Sequence, residues 1–487
     1  MKIGVLARRL DGVRLTGDPG VEVTGISHDS RRVRPGWIFA ALPGERAHGL
    51  DFLPGATERG AAAVLSDRGP SGGAALPWLL SRAPRRHTAE AAWALAGDPQ
   101  RELTMIGITG TNGKSTTAHL LAAMFAAAGR PAGLFGTLVY HLPDADRKAD
   151  RTTPEAADLA PLLARLRASG GEAAVMEISS HALALERVAG LEFDIAVWTN
   201  LSRDHLDYHH DMESYFAVKR RLFDQLREGR GRRVLPVDER WGARLLAEPE
   251  AGDVTYGLED ADVTAVEPRM GLEGTAFELR TPQGQAPVRL PLIGEHNLRN
   301  ALAAAAAASA AGLPFDVVCR ALESASPLPG RLEPASAGLD FPVYVDYAHT
   351  PDGLRAVLTA LRRVTERRLI VVFGAGGDRD TGKRSEMGSA VGELADTAIV
   401  TSDNPRSEDP AAIAAAVAEG VRAAGARPRV ILDRREAIST ALELADSHAL
   451  VLVAGKGHET EQIIGKRRLP FSDIEVVREL AGGMTCG

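Results

Sequence analysis

Between residues 103 and 200 the chain alternates short apolar runs with helix-like segments: LTMIGIT, a helical run to Ala128 stopped by Gly129, then GLFGTLVY, AAVMEIS and FDIAVWTN. No other feature constrains the fold as strongly. Nearly continuous apolar strands separated by crossover helices are the pattern of a parallel sheet covered on both faces. A second set follows, with strands predicted at FPVYVD, RLIVVFGA, TAIVTS, RVILD and ALVLVAGKG. The predicted class is therefore α/β. At 487 residues the chain has room for about three domains of ~150 residues. Residues 1–102 carry VEVTGIS, WIFAAL and AAVLS among Gly/Pro turns and read as a small α/β domain. Residues 103–330 read as a central parallel-sheet domain with a phosphate loop, a β-rich portion over 253–292, a helix from Glu295 and the linker-like SPLPGRLEP. Residues 331–487 read as a doubly wound, Rossmann-like domain.

Hydrophobic residues make up 45% and charged residues 25%, enough for several cores and unlike a disordered chain. The net charge of −7 leaves no basic excess to release counterions from a polyanion, so nucleic acid is not an expected partner. Cys319 and Cys486 are too few for a disulfide framework or a cysteine metal site and fit a reducing compartment. The N-terminus MKIGVLARRLDG brings in Arg8, Arg9 and Asp11 too early for a signal peptide. The run ALAAAAAASAA at 301–311 falls short of the ~20 residues of a membrane span. A cytoplasmic protein without membrane insertion is expected. Only seven lysines (Lys2, Lys114, Lys148, Lys219, Lys383, Lys456, Lys466) remain beside fifty arginines. Because an amine nucleophile or a compact phosphate-binding ammonium must be lysine, each survivor is a candidate functional group.

The segment GITGTNGKSTT follows a strand and opens a helix, where backbone N–H groups and the helix dipole hold phosphates. Gly110 and Gly113 would let the backbone approach a triphosphate, Lys114 would neutralise it and Ser115 would ligate Mg²⁺. The spacing is not the usual one, which would put glycine at Ile108. A second lysine, Lys219, falls within the apolar stripe of a helix predicted from an Asp211 N-cap, with Tyr215, Leu222, Phe223 and Leu226 along the same side. A bare ammonium there is costly. Glu177 ends the strand AAVMEIS, where parallel sheets place ligands. Spacing alone leaves Asp204, His205, Asp207, His209 and His210 open as a zinc cluster, against the favoured reading as a loop of capping and packing groups.

The loop TGTNGKST is the form used by the Mur ligases and the folylpolyglutamate synthetases. Further matches follow in order: HDSR, MEISSH, TNLSRDHLDYH, GEHNLRNALAA, PGRLE, VDYAHTPD, FGAGGDRDTGKR, TSDNPR and AGKGHE. From about residue 25 to 475 the sequence resembles the Mur ligases, and among them the tripeptide synthetases. The resemblance implies an ATP-dependent amide ligase with UDP-binding, ATPase and amino-acid-binding domains, acting in peptidoglycan precursor synthesis. The terminal carboxylate of UDP-MurNAc-L-Ala-D-Glu would take the γ-phosphoryl of ATP, and an amine would attack the acyl phosphate. It implies ATP contacts at Gly110, Thr111, Asn112, Gly113, Lys114, Ser115, Thr116, Asn297, Asn300, Arg331, Asp346 and His349. It implies Mg²⁺ held by Ser115, Glu177, His205 and a carbamate formed from CO₂ on Lys219, with Lys114 and Arg331 completing the catalytic set.

For the nucleotide sugar the resemblance points to Ser30, Glu45, Arg46 and Ala47, and for the muramoyl-dipeptide to Thr152, Thr153, Ser179 and Arg187. Arg151 and Leu185 depart from some members, which have asparagine and glutamine there. Members that add meso-diaminopimelate carry DNPR, here Asp403, Asn404, Pro405 and Arg406, and a guanidinium fork suits the second carboxylate that lysine lacks. Arg379, Gly455 and Glu459 would complete that site, with Glu459 facing an ammonium. The alternatives are the same reaction with L-lysine, a folate polyglutamylating ligase, which should lack HDSR and DNPR, and a nucleotide-gated regulator with a decayed site. Small-molecule substrates and a monomer are expected.

Overall fold

The structure, a computed structural model, describes residues 1–44, 47–70, 75–336 and 338–485. Contacts divide the chain into two compact units: 1–264 with 280–284 and 300–321, and 265–279 with 285–299 and 322–487.

The first unit contains two sheets. A five-stranded sheet has the order Arg14–Thr16, Trp78–Leu80, Ala63–Ser66, Trp37–Ala41, Gly25–Ser27, parallel except for its first pair. The central sheet runs Val254–Gly257, Arg232–Pro236, Ile195–Trp198, Thr104–Thr109, Ala173–Glu177 and Ala132–Phe135, all parallel, then turns back through Val139–Leu142 and Ala145–Lys148. One continuous apolar core joins Ile38, Ala40 and Leu65 of the small sheet to Met105, Ala174 and Met176 of the large one. That shared core is why residues 1–102 pack with the central sheet as one unit. Two strands of the small sheet, Arg14–Thr16 and Trp78–Leu80, were not legible as apolar runs. GLFGTLVY, read as one strand, is two antiparallel strands broken at Gly136 and Thr137.

The second unit carries a six-stranded sheet ordered Glu333–Pro334, Val343–Asp346, Ala449–Ala454, Arg368–Phe373, Thr397–Val400, Arg429–Val430, parallel apart from its first pair. The period-2 geometry of a strand sends alternate residues to opposite faces. Leu369, Val371 and Phe373 pack with helices Pro351–Val364, Lys383–Leu394 and Pro410–Ala423, whereas Ile370 and Val372 pack with Arg434–Leu444 and Asp473–Thr485. This is the expected doubly wound arrangement. Within it Arg434 and Asp473, both 0% exposed, form a two-bonded ion pair with distances of 2.7 Å.

Candidate active site

In the central sheet Ile108 lies beside Glu177 on one neighbouring strand and beside Val197 on the other. The segments after all three strands therefore leave the sheet at the same edge. From Thr104–Thr109 the chain crosses to Ala132–Phe135, and from Ala173–Glu177 it crosses the other way to Ile195–Trp198. The crevice between the two starting strands is a topological switch point, the place where open α/β sheets bind ligands.

The loop between Thr109 and Lys114 fills that edge. Gly110 (φ 146°) approaches the neighbouring strand end so closely that a Cβ would lie 1.9 Å from Thr199 Oγ1. Residues 199–202 clamp the loop: Thr111 N donates to Asn200 O (2.9 Å), Asn112 N to Asn200 Oδ1 (3.0 Å), and Thr199 Oγ1 to Asn112 O (2.7 Å). Gly113 (φ 85°) caps the helix Lys114–Ala127 without a side-chain acceptor, leaving its first N–H groups to the loop. Asn300 is placed against this turn, its Oδ1 2.1 Å from where a Gly113 Cβ would be. Thr116 is buried in the first turn. Lys114 Nζ folds back onto the carbonyls of Gly110 (3.0 Å) and Thr111 (2.8 Å).

Glu177 is 1% exposed and accepts from Ser115 Oγ (2.9 Å) and Thr137 Oγ1 (3.1 Å) at Oε2 and from Thr137 N (2.9 Å) at Oε1. Gly136 makes room for it, since a Cβ there would lie 2.1 Å from Oε1. Among the described residues this buried carboxylate has no cationic partner, although a buried anion needs one. One carboxylate and one hydroxyl beside a phosphate-binding loop is the donor set that Mg²⁺ uses when phosphate oxygens and water complete its shell. The residues fit that ion.

Lys219, 1% exposed, comes in from the helix Met212–Arg220, whose N-cap Asp211 accepts from Ser214 N at 2.7 Å. The helix ends at Arg220, and Phe223–Gln225 forms a separate 3₁₀ turn, so the predicted stripe spans two elements. Lys219 Nζ donates to Gly110 O (2.7 Å) and lies 4.8 Å from the centre of the Tyr215 ring. Two lysines thus converge on one carbonyl. Burial, and then the Lys114 ammonium, push the Lys219 amine well below the usual lysine range. His205, in left-handed backbone (φ 54°), stands edge-on to the same Tyr215 ring at 6.3 Å and to His181 at 5.1 Å. His209 bonds Ser180 Oγ at 2.9 Å and stacks on Tyr215. Among the described residues no three His, Cys, Asp or Glu side chains gather as a metal cluster, and the Asp207 side chain lies outside them.

In the second unit Asp346 spends both oxygens on backbone, accepting from Leu332 N (2.8 Å) and Ala348 N (2.7 Å). Arg331 lies 5.0 Å from the centre of the Tyr347 ring. His349 Nδ1 meets Tyr347 O at 2.8 Å, and burial lowers its imidazole below the ordinary range. Asn297 donates to Ile293 O (2.9 Å). Asp403 and Asn404 are buried, and Pro405 leads into Arg406, which adopts φ 51° and donates from Nη1 to Gly377 O (2.6 Å). Arg379 is exposed, donating to Asp378 O (3.3 Å). Gly455 (φ 120°) passes so near Asp403 that a Cβ would lie 2.8 Å from Oδ2. Glu459 Oε2 accepts from Asn404 Nδ2 (2.8 Å) and from Lys456 Nζ (2.9 Å). The ammonium that Glu459 meets in this structure is thus its own chain's.

Models of three Mur ligase segments match in order: the family's catalytic domain at 22–79, its middle domain at 108–308 and its glutamate ligase domain at 330–457. A UDP-N-acetylmuramoyl-L-alanyl-D-glutamate–2,6-diaminopimelate ligase of Streptomyces coelicolor is 46% identical over 95% of this chain and 93% of that protein. The chain belongs to the Mur ligase family. A ligase of the same name from Bacillus licheniformis is 42% identical over 98% and 99% of the two chains. A solved structure of a ligase of that name superposes with a TM-score of 0.71 at 33% identity, covering 100% of this Mur ligase and 99% of the other chain.

The residues expected from the sequence to meet the nucleotide sugar and dipeptide fall into two groups. Thr152, Thr153, Ser179 and Arg187 form a connected set around the Glu177 edge. Thr153 Oγ1 donates to Glu177 O (2.8 Å), Ser179 N to Thr153 Oγ1 (3.0 Å), Thr137 Oγ1 to Thr152 Oγ1 (3.1 Å), and Arg187 Nη1 to Thr153 O (3.3 Å). Arg187 Nε lies 2.7 Å from Glu155 Oε1, close enough for an ion pair but without hydrogen-bond alignment. Ser30 begins a 3₁₀ turn capped by Asp29, and Ala47 is exposed. Glu45 and Arg46 lie outside the described residues. Arg151 lines a cavity of about 200 Å³ with His28, Asp29, Arg32 and Tyr140, while Leu185 lines a smaller one beside Arg187. Two structural partners were not singled out from sequence, Thr137 and Asn200, while Tyr215 reads there only as part of an apolar stripe and Lys456 only as a surviving lysine without a derived role. Asn200 lies in the matched TNLS segment, and Lys456 and Glu459 are three apart in AGKGHE, so both carried a signal.

Proposed function

We propose that this chain joins meso-2,6-diaminopimelate to UDP-MurNAc-L-Ala-D-Glu with hydrolysis of ATP to ADP and phosphate, through an acyl phosphate, in peptidoglycan precursor synthesis. The observation that carries the reading is the convergence of Lys114, Lys219 and the Ser115–Glu177 pair on the loop edge at the switch point. The names of relatives identical at 40% and above favour diaminopimelate over lysine, and the DNPR arginine gives that preference a chemical basis. The domains are assigned as 1–102 for the nucleotide sugar, 103–330 for ATP and 331–487 for the amino acid.

In this reading the loop N–H groups and the helix N-terminus hold the phosphates, and Lys114 exchanges its two carbonyl contacts for the transferring phosphoryl group. Bound Mg²⁺ supplies charge neutralisation at Ser115 and Glu177. The Lys219 amine, pushed toward its neutral form, suits addition to CO₂: its lone pair would form the N–C bond with loss of one proton, and the resulting carbamate, with His205 edge-on to the same Tyr215 ring, would offer a further acidic ligand to Mg²⁺. Arg331, Asp346, His349, Asn297 and Asn300 are assigned to the nucleotide. Thr152, Thr153, Ser179 and Arg187 orient the D-Glu carboxylate, with Ser30 and the 45–47 segment toward uridine. Arg406 and Arg379 receive carboxylate and Glu459 an ammonium, with Asp403, Asn404, Pro405 and Gly455 shaping the pocket. A monomer in the cytoplasm without nucleic-acid partners fits these small substrates. Among the described residues no helix is long and apolar enough to cross a membrane.

Phosphate release from ATP with purified UDP-MurNAc-L-Ala-D-Glu tests the assignment. Release that requires diaminopimelate and is far weaker with lysine supports it; equal or better turnover with lysine, or release without any amine, overturns it.

A further inference from the structure

Lys456 is 0% exposed, at the end of the strand Ala449–Ala454, and its ammonium donates to Glu459 Oε2 (2.9 Å) and Asn404 Oδ1 (3.2 Å). Asn404 closes the triangle by donating from Nδ2 to the same Glu459 oxygen (2.8 Å). The amide cannot turn over without loss, because its Oδ1 also accepts from Ile463 N (2.9 Å). Glu459 Oε1 takes no hydrogen bond among the described residues, and the side chain is 33% exposed. The carboxylate therefore has one oxygen committed inward and one left outward. Burial alone would raise the Glu459 carboxyl, but the bond and charge of Lys456, with Asn404 adding, leave it below the usual range. The charges of Glu459, Arg331, Asp403 and Arg406 all act on the Tyr347 phenol. Asn404, bonded to Glu459, stands two residues before Arg406, whose N donates to Ile463 O (3.0 Å), so Glu459 and Arg406 are posts of opposite sign on one connected segment.

We propose that Lys456 is a specificity-determining positioning residue: it holds part of the Glu459 charge inside the protein, so that an ammonium alone is poorly received and recognition must lean on Arg406. This rests on the diaminopimelate reading of the site. The reacting amine is common to both amino acids, and only their far ends differ. Lysine ends in an ammonium and carries a net positive charge, whereas diaminopimelate ends in an ammonium and a carboxylate and is neutral overall. A fixed cation bonded to the receiving carboxylate opposes the lone ammonium fully, but the zwitterionic end is compensated through Arg406. Removing that cation should therefore help lysine more than diaminopimelate.

The test compares wild type with Lys456→Gln, which keeps an N–H donor and removes the charge, and with Lys456→Arg, which keeps the charge. Amine-dependent phosphate release gives kcat/KM for diaminopimelate and for lysine. In Lys456→Gln the diaminopimelate-to-lysine ratio should fall about tenfold, mainly through the two amino-acid KM values. KM for ATP and for the nucleotide sugar should stay within about twofold, a split that general loosening would not produce. Lys456→Arg should retain the ratio. An active Lys456→Gln with an unchanged ratio overturns the proposal, as does an active Lys456→Arg that loses it. Should Lys456→Gln fail to fold, the Lys456→Arg ratio alone decides. Wild type that fails to use diaminopimelate would instead overturn the underlying assignment.

Discussion

Each unit buries one lysine almost completely, Lys219 at 1% and Lys456 at 0% exposure, yet their surroundings differ in kind. Lys456 sits on a carboxylate and an amide oxygen. Lys219 has one carbonyl, an aromatic face and another lysine donating to the same carbonyl. A buried ammonium with a like charge beside it is driven toward the neutral amine, which is the direction found for Lys219. At Lys219 burial acts first, and the Lys114 ammonium adds to it against an opposing pull from Asp204. Under the proposed function Lys456 shapes recognition and Lys219 is available for chemistry.

Breaking the unpaired side should have the largest effect. Lys219→Met is expected to lower kcat about 10²–10³-fold, on the scale of losing one preorganised charged group at a reacting phosphoryl. Lys219→Arg should be as inactive, because a guanidinium cannot add CO₂. Short carboxylates should restore part of the Lys219→Ala activity by standing in for the carbamate, measured as phosphate release.

On the paired side, Arg406→Lys should raise KM for diaminopimelate roughly 10–100-fold through loss of fork geometry while leaving KM for ATP near wild type. The Lys456→Gln ratio change is smaller, about tenfold. Structural support is separable from both. Arg434→Met strands the Asp473 carboxylate in the core and should destabilise the second unit by about 3–5 kcal/mol, read from urea unfolding.

The smallest effect is a pH dependence of stability. The folded Lys219 amine titrates below its unfolded value of about 10.4, so between the two the unfolded chain binds more protons and wild-type stability rises with pH. Lys219→Met removes that penalty. In CO₂-free buffer its melting temperature should exceed that of wild type at neutral pH, by ~2–4 °C per kcal/mol relieved, and the gap should shrink toward pH 10. A gap independent of pH would contradict the neutral-amine account.

How much of this was legible in the sequence depended on whether the cause was local. The parallel strands and the phosphate loop were, because apolar runs and a Gly-Lys-Ser turn carry their own signal. Lys219 was flagged by its place in an apolar stripe, although the stripe's end at Arg220 was not. The break at Gly136 was not legible, since it arises from Glu177, forty-one residues further along the chain, occupying the space a Cβ would need. Tyr215 beneath Lys219 looked like ordinary core. Lys456 showed only as a surviving lysine in a motif; its partner Asn404 is fifty-two residues away in sequence, brought beside it by the sheet. The shared core that merges residues 1–102 with the central sheet likewise depends on contacts no local pattern encodes.

The difference between the two buried lysines is tested most directly by carbon-13 NMR of protein equilibrated with ¹³C-bicarbonate. The account predicts a carbamate signal in wild type that persists in Lys456→Gln and disappears in Lys219→Met. A wild-type spectrum without that signal, or one whose signal survives in Lys219→Met, would contradict it.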